Sequence, residues 1–283
     1  MGVKRGRVFT GALASGGTIA TGTAPRGICI SSDGTSVYAA NNSSQTVSIF
    51  SRNTSTGALT SGGTIAAAAG ATGVCISADG ISVYVANTNR VSIYTRNIST
   101  GALTSGGIIS TGFGSILRGI CISADGTSVY TANYGLNTVL IFSRNTSTGD
   151  LTSGGTIAAG TSPYGICISA DGTSVYTVNG GVSTVSIFSR NTSTGALTSN
   201  GTIANAGGAQ GICISADGIS VYTADSSVST VSIFSRNTST GALTSNGTIS
   251  AGAAPSGICI SADGTSVYET NGSGNTVSIF TRS

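Results

Sequence analysis

The chain has no histidine, no tryptophan, one methionine and three prolines, and only 7% of its 283 residues are charged, against roughly 25% in an average soluble domain. Without histidine the usual general base is missing, and a nucleophilic serine has no recognisable activator. No Cys/His pair is spaced for zinc and no dense Asp-x-Asp run is spaced for calcium, so the sequence points to no metal and no cofactor. The net charge of +3 is too weak a field for nucleic-acid binding, and Lys4, Arg5 and Arg7 are the only basic cluster. No stretch approaches about 18 consecutive apolar residues, which argues against membrane insertion. The first ten residues carry basic side chains but not the apolar core of a secretory signal. A low-charge exterior rich in Ser, Thr and Gly nevertheless suits an extracellular or surface-associated protein, and that is the expected location.

What the chain does have is a ruler. Cys29, Cys75, Cys121, Cys167, Cys213 and Cys259 stand 46 residues apart, each inside Cys-Ile-Ser-(Ala/Ser)-Asp-Gly. A period of this length, with short apolar runs separated by Gly, Asn and Ser turns, is the signature of a β-propeller in which one repeat builds one blade. The fourth repeat serves as a template. Gly165–Ser169 is an apolar inner strand closed by the tight-turn pair Asp171-Gly172, and Ser174–Val178 is a β-branched and aromatic second strand. Thr184–Phe188 alternates as a third strand, and Ala196–Ile203 is a polar outer strand whose Gly and Asn discourage edge pairing. The spacing therefore predicts an all-β, six-bladed β-propeller with four-stranded antiparallel blades, one domain over residues 1–283. Residues 11–20 match the outer strand and the last repeat stops after its third strand. The N-terminal strand is therefore expected to pair with the last blade and close the ring.

Three repeat segments carry a family likeness: Ser-Ala-Asp-Gly-Thr-Ser-Val-Tyr-Thr-Ala-Asn, Asn-Thr-Val-(Ser/Leu)-Ile-Phe and Ser-Thr-Gly-(Ala/Asp)-Leu-Thr. Together they resemble the YVTN and lactonase-type β-propeller repeat over the whole chain from about residue 8. The resemblance implies hydrolysis of a sugar lactone, although such propellers usually have seven blades and this chain encodes six. It is not a WD40 array, since the Gly-His and Trp-Asp marks are absent.

Most residues have a structural explanation. The six cysteines fall at equivalent places in different blades, too far apart for disulfides, and are expected to be free and buried. Asp33, Asp79, Asp125, Asp171, Asp217 and Asp263 read as turn aspartates, and Arg52, Arg96, Arg144, Arg190, Arg236 and Arg282 as part of another recurring turn. The Asn-x-Ser/Thr triplets at Asn53, Asn145, Asn191 and Asn237 read as turn asparagines rather than glycan acceptors. Asp150, Asp225 and Glu269 are the only acids left over.

Where the repeats disagree, two loop types stand out: the one after the second strand and the one entering the inner strand. Blade two shortens the first by two residues, offset by two extra before Cys121. In a four-stranded meander both loops leave the same face of the disc. That places Arg26, Arg118, Tyr164 and Gln210 around the channel mouth, with Arg90, Tyr134, Asp225 and Glu269 further out. Scattered Arg and Tyr are residue types that anchor interfaces, so the residues favour a non-catalytic binding or structural module holding a protein or glycan partner on this face. Two alternatives stand beside it: a lactonase-like hydrolase acting on a sugar lactone, and a recently amplified or engineered repeat scaffold with no ligand.

Overall fold

Alternating Val, Ile, Tyr and Phe between glycine and asparagine turns leave each repeat no conformation but a short meander, and the repeats fold accordingly. The computed structural model describes residues 16–282. Blade one comprises Pro25–Ile30, Ser36–Asn41, Thr46–Arg52 and Leu59–Ala66, each strand antiparallel to the next. Five sheets repeat this four-stranded order and no helix occurs among the described residues, giving a six-bladed all-β propeller. The register is constant, with each cysteine opposite a tyrosine, as in Cys29 with Tyr38 and Cys121 with Tyr130.

The second strand, not the inner one, is the most deeply buried. Ser36–Asn41, Ser82–Asn87, Ser128–Asn133 and Ser174–Asn179 are buried at every position, whereas the inner strands are only partly buried, because one of their edges borders the channel. The core lies between blades. Tyr38, Ala40, Val47 and Ile49 of blade one pack on Val74, Val83, Val85 and Tyr94 of blade two, and Leu103 from the outer strand fills the same layer. Each such large side chain contributes about 1.5–3 kcal/mol by leaving water.

The constant aspartates and arginines do more than make turns. Asp125 Oδ1 accepts the Thr127 amide at 2.9 Å within its own turn, while Arg190 of the following blade reaches back to Asp125 Oδ2 at 2.9 Å. The same clamp joins Arg96 to Asp33, Arg144 to Asp79, Arg236 to Asp171 and Arg282 to Asp217. In four of these clamps the arginine also donates from Nε to the tyrosine hydroxyl of the preceding blade, as Arg190 does to Tyr130 at 2.9 Å, and that hydroxyl donates to Gly195 O at 2.7 Å. The triplet asparagines are turn formers, as expected: Asn191 Oδ1 accepts the Ser193 and Thr194 amides at 3.0 and 3.1 Å.

The two ends of the array differ from the rest. The last sheet, Pro255–Ile260, Ser266–Asn271 and Thr276–Thr281, has three strands among the described residues. Of the N-terminal segment expected to complete it, residues 11–15 lie outside the described residues. Gly16–Ala20 carry no strand, and Ile19 packs beside Val37, Ala39 and Phe50 of blade one. All six thiols are free, but they are not uniformly buried as expected. Cys75 is buried, Cys29, Cys121, Cys167 and Cys213 are half-buried, and Cys259, in the last blade, is exposed.

Candidate functional site

The entry to each inner strand ends in a glycine, and the reason is the closeness of the next blade. A Cβ on Gly119 would lie 2.7 Å from the Tyr164 carbonyl, and one on Gly165 would lie 2.7 Å from the Gln210 carbonyl, distances no side chain tolerates. Glycine thus draws the inner strands together at one end of the channel. The residue before it, which varies between repeats, is set on the rim. These positions hold Arg26, Thr72, Arg118, Tyr164, Gln210 and Ser256, and they ring a cavity of about 560 Å³ whose floor is the following Ile or Val of each strand.

Arg118 is the best-fixed member. Its guanidinium carbon lies 5.1 Å from the Tyr134 ring centre and 5.2 Å from the Tyr164 ring centre, and the two rings meet edge to face, 6.3 Å apart and 88° to one another. Two cation–π contacts of about 0.5–2 kcal/mol each hold the charge in place without neutralising it. The Nε of Arg118 is buried and has no hydrogen-bond partner among the described residues. Gln210 Nε2 donates to Ser226 Oγ at 3.3 Å, and Ser256 Oγ sits 3.1 Å from Thr270 Oγ1. Thr72 instead turns its hydroxyl into the structure, donating to Leu117 O at 2.8 Å. Arg26 and Arg118 are the charged residues lining the cavity, so the mouth is positive and lined by neutral donors. Such a site favours an anionic or strongly dipolar ligand.

The structure brings Arg26, Arg118, Tyr164 and Gln210 together at this mouth, with Tyr134 behind Arg118. Arg90 is exposed at the start of its strand and does not line the cavity. Asp225 and Glu269, expected on the loop face, are instead buried, a correction with a simple cause. Both lie in the second strand of their blades, where Asp225 and Glu269 are enclosed although Thr270 beside Glu269 is exposed. Asp225 stands where the other repeats have Asn41, Asn87, Asn133, Asn179 and Asn271, and accepts the Ser232 hydroxyl at 2.5 Å and the Thr223 hydroxyl at 2.8 Å. Burial pushes its carboxyl above the usual range against the pull of those bonds. Glu269 replaces the threonine of Thr131, Thr177 and Thr223, and burial raises its carboxyl as well.

Thr72, Ser256 and Thr270 complete the lining without having been selected from sequence. The first two follow from the repeat alignment once every rim position is counted rather than only the bulky or charged ones. No group of three or more His, Cys, Asp or Glu that could hold a metal ion occurs among the described residues.

Comparison with known proteins follows the fold closely. The family model for a seven-bladed β-propeller lactonase matches in four overlapping segments, residues 8–77, 60–153, 89–210 and 198–283. A candidate 6-phosphogluconolactonase of Bacteroides fragilis superposes with a TM-score of 0.84 at 23% identity, over 94% of this chain and 82% of that one. A second candidate 6-phosphogluconolactonase, from Bacteroides uniformis, gives 0.84 at 21% identity, over 94% and 83%. The periplasmic gluconolactonase of Pseudomonas aeruginosa gives 0.82 at 18% identity, over 94% and 83%. A search of curated proteins finds no match.

Proposed function

Because the chain belongs to the seven-bladed β-propeller lactonase family, we propose that it is a hydrolase that opens a sugar lactone at the mouth of its channel. Family membership corrects the expectation of a non-catalytic binding or structural module, and with it the expectation that the chain is not an enzyme. Scattered Arg and Tyr on a loop face read equally well as interface anchors and as a substrate site, and composition does not separate the two. On the three repeat segments quoted above, the blade is of the YVTN type within that family.

The observation that carries the proposal is Arg118, a cation held between two aromatic rings at the rim of the cavity. Lactone hydrolysis adds water to the ester carbonyl carbon and breaks its bond to the ring oxygen. The ring oxygen takes up a proton as the hydroxyl, and the acid formed releases one as it becomes a carboxylate. Charge develops first on the carbonyl oxygen, where a fixed guanidinium stabilises the transition state more than the ground state. Arg26 across the mouth suits an anionic substituent such as a phosphate, and Tyr164, Gln210 and Ser256 suit the sugar hydroxyls. The lining residues include no carboxylate and no imidazole among the described residues, so water adds to the activated carbonyl carbon without a side-chain base.

The test is pH-stat titration with 6-phosphogluconolactone and gluconolactone. Turnover is expected to exceed the spontaneous rate, and Arg118→Gln is expected to lower kcat/KM by about 10²-fold. The rate should climb with hydroxide through neutrality rather than follow a bell. A wild-type rate equal to the spontaneous one on both lactones, or an unchanged Arg118→Gln enzyme, refutes the reading.

A further inference from the structure

Each blade is a meander, so its two constant turns open on one face of the disc and its two variable loops on the other. The charges divide between these faces. Of the nine acids, the six Asp-Gly aspartates and Asp150 stand in the constant turns, and Asp225 and Glu269 are buried. Among the described residues the variable-loop face therefore presents no exposed acidic side chain. It carries Arg26 and Arg90, both exposed, and Arg118 at the cavity. On the opposite face Arg96, Arg144, Arg190, Arg236 and Arg282 are each paired with an aspartate.

The same face carries an apolar crest. Phe113 is 99% exposed in the loop 111–116, which is two residues longer than its equivalent 159–162. Gly112 and Gly114 flank it with φ of +89° and +84°, a left-handed backbone on both sides that glycine adopts without penalty. The loop itself is fixed. Ser115, buried, donates from Oγ to Thr111 O at 2.9 Å and accepts from Asn133 Nδ2 at 3.2 Å, and Asn133 Oδ1 accepts the Ile116 amide at 3.1 Å. Gly114 lies against Leu136, which is 49% exposed. Val182 and Val228, 47% and 48% exposed, take the place of Leu136 in the next two blades. In all three turns the amide donates at 3.3 Å to the carbonyl three residues before it, that of Asn133, Asn179 or Asp225. Leu136, Val182 and Val228 thus stand at one level along an arc of three consecutive blades, with Phe113 at its start. Arg90 pairs with Ser110 at the base of the Phe113 loop.

We propose that the variable-loop face is a docking surface for an anionic lipid bilayer, which Phe113 enters to the boundary between headgroups and acyl chains while Leu136, Val182 and Val228 rest on it. Arg90 and Arg26 meet the lipid phosphates. A bulky apolar side chain on a fixed crest gains by leaving water, and crests of equal level fit a flat, deformable surface better than the groove of a protein. Basic residues without acidic neighbours fit the negative potential of an anionic leaflet, and apolar crest residues beside them supply the second of the two signals that stable adsorption needs. The exposed aspartates lie on the far face, so repulsion from the same leaflet orients the disc with its channel mouth toward the lipid. No spanning segment is required, because side chains alone make the contact.

The chain has no tryptophan, so Phe113→Trp gives a single fluorescent reporter in the full chain. With vesicles of equimolar phosphatidylglycerol and phosphatidylcholine at low salt, a blue-shifted emission that brominated acyl chains quench is expected. In co-sedimentation with the same vesicles, Phe113→Asp should lower partitioning of the chain about tenfold or more, and Arg90→Gln about fivefold. Both side chains are exposed, so both variants should keep the parent Tm. Three results overturn the proposal. One is no binding of the unaltered chain to these vesicles, which leaves a protein as the occupant of the crest. Another is equal binding to pure phosphatidylcholine, which removes the role of lipid charge. The third is unchanged partitioning of Phe113→Asp, which puts the contact on another part of the surface.

Discussion

Arg190 and Arg52 occupy the same position in different repeats, and replacing each by alanine separates the clamp from the turn. Arg190 is buried and donates to Tyr130 Oη, Asp125 Oδ2, Thr127 Oγ1 and Ser128 Oγ of the preceding blade at 2.9–3.0 Å, and to Gly172 O at 3.2 Å. Removing one partner of a buried ion pair costs about 3–5 kcal/mol. The Asp125 side chain is 41% exposed, so water takes over part of its solvation, and Arg190→Ala should cost about 3 kcal/mol, the low end of that range. For a chain of this size that lowers Tm by about 6–12 °C. Among the described residues Arg52 makes one side-chain bond, to Gly34 O within its own blade, so Arg52→Ala should cost about 1 kcal/mol or less. Differential scanning calorimetry of both variants in one buffer reads the difference directly. Equal losses would mean that the arginine contributes as a turn residue and that the clamp adds nothing.

Two further outcomes follow from the buried and clamped acids. In Asp125, desolvation is outweighed by hydrogen bonds from Ser123, Thr127 and Arg190, which hold the carboxyl well below the usual range, and in Asp217 the Ser215, Ile219 and Arg282 contacts hold it down to about 2. A depressed carboxyl lends stability that is complete above its unfolded value and fades as pH drops toward its folded one. Tm should therefore be level from about pH 5 to 8 and fall steeply below about pH 4; a Tm that holds to pH 2 contradicts this. Asp225 has the opposite sign. Burial raises its carboxyl, so the folded state is penalised above that raised value and relieved as pH falls. Asp225→Asn, which restores the residue of the other five repeats, should raise Tm by about 2–4 °C at pH 7 and by nothing near pH 3. An equal gain at both values would assign the effect to packing instead.

How much of this was legible beforehand depends on which residues spoke. The 46-residue cysteine interval and the Asp-Gly turns lead directly to six blades, because strand, turn and alternation are local properties that recur in register. Arg26, Arg118, Tyr164 and Gln210 were legible as a mouth because they depart from the repeat in loops whose exit face the meander dictates. The clamps were hidden by their constancy: an arginine and an aspartate fixed in every repeat look like turn residues until the blades are placed side by side. Asp225 and Glu269 were misplaced for the converse reason. They depart from the repeat, yet sit in the second strand, where a departure marks a buried exception rather than a surface specialisation. The packing between blades was not legible, since nothing within one repeat states the angle between neighbouring sheets.

The clamp also has a direction, since the arginine always belongs to the later blade and the aspartate to the earlier one. Blades joined in this way behave as a polar one-dimensional array, in which stability is a sum over nearest-neighbour contacts. Each inner blade therefore lends an arginine to the blade before it and an aspartate to the blade after it, so exchanging the two charges within one blade breaks two junctions, and the matching exchange in a neighbour repairs only one of them.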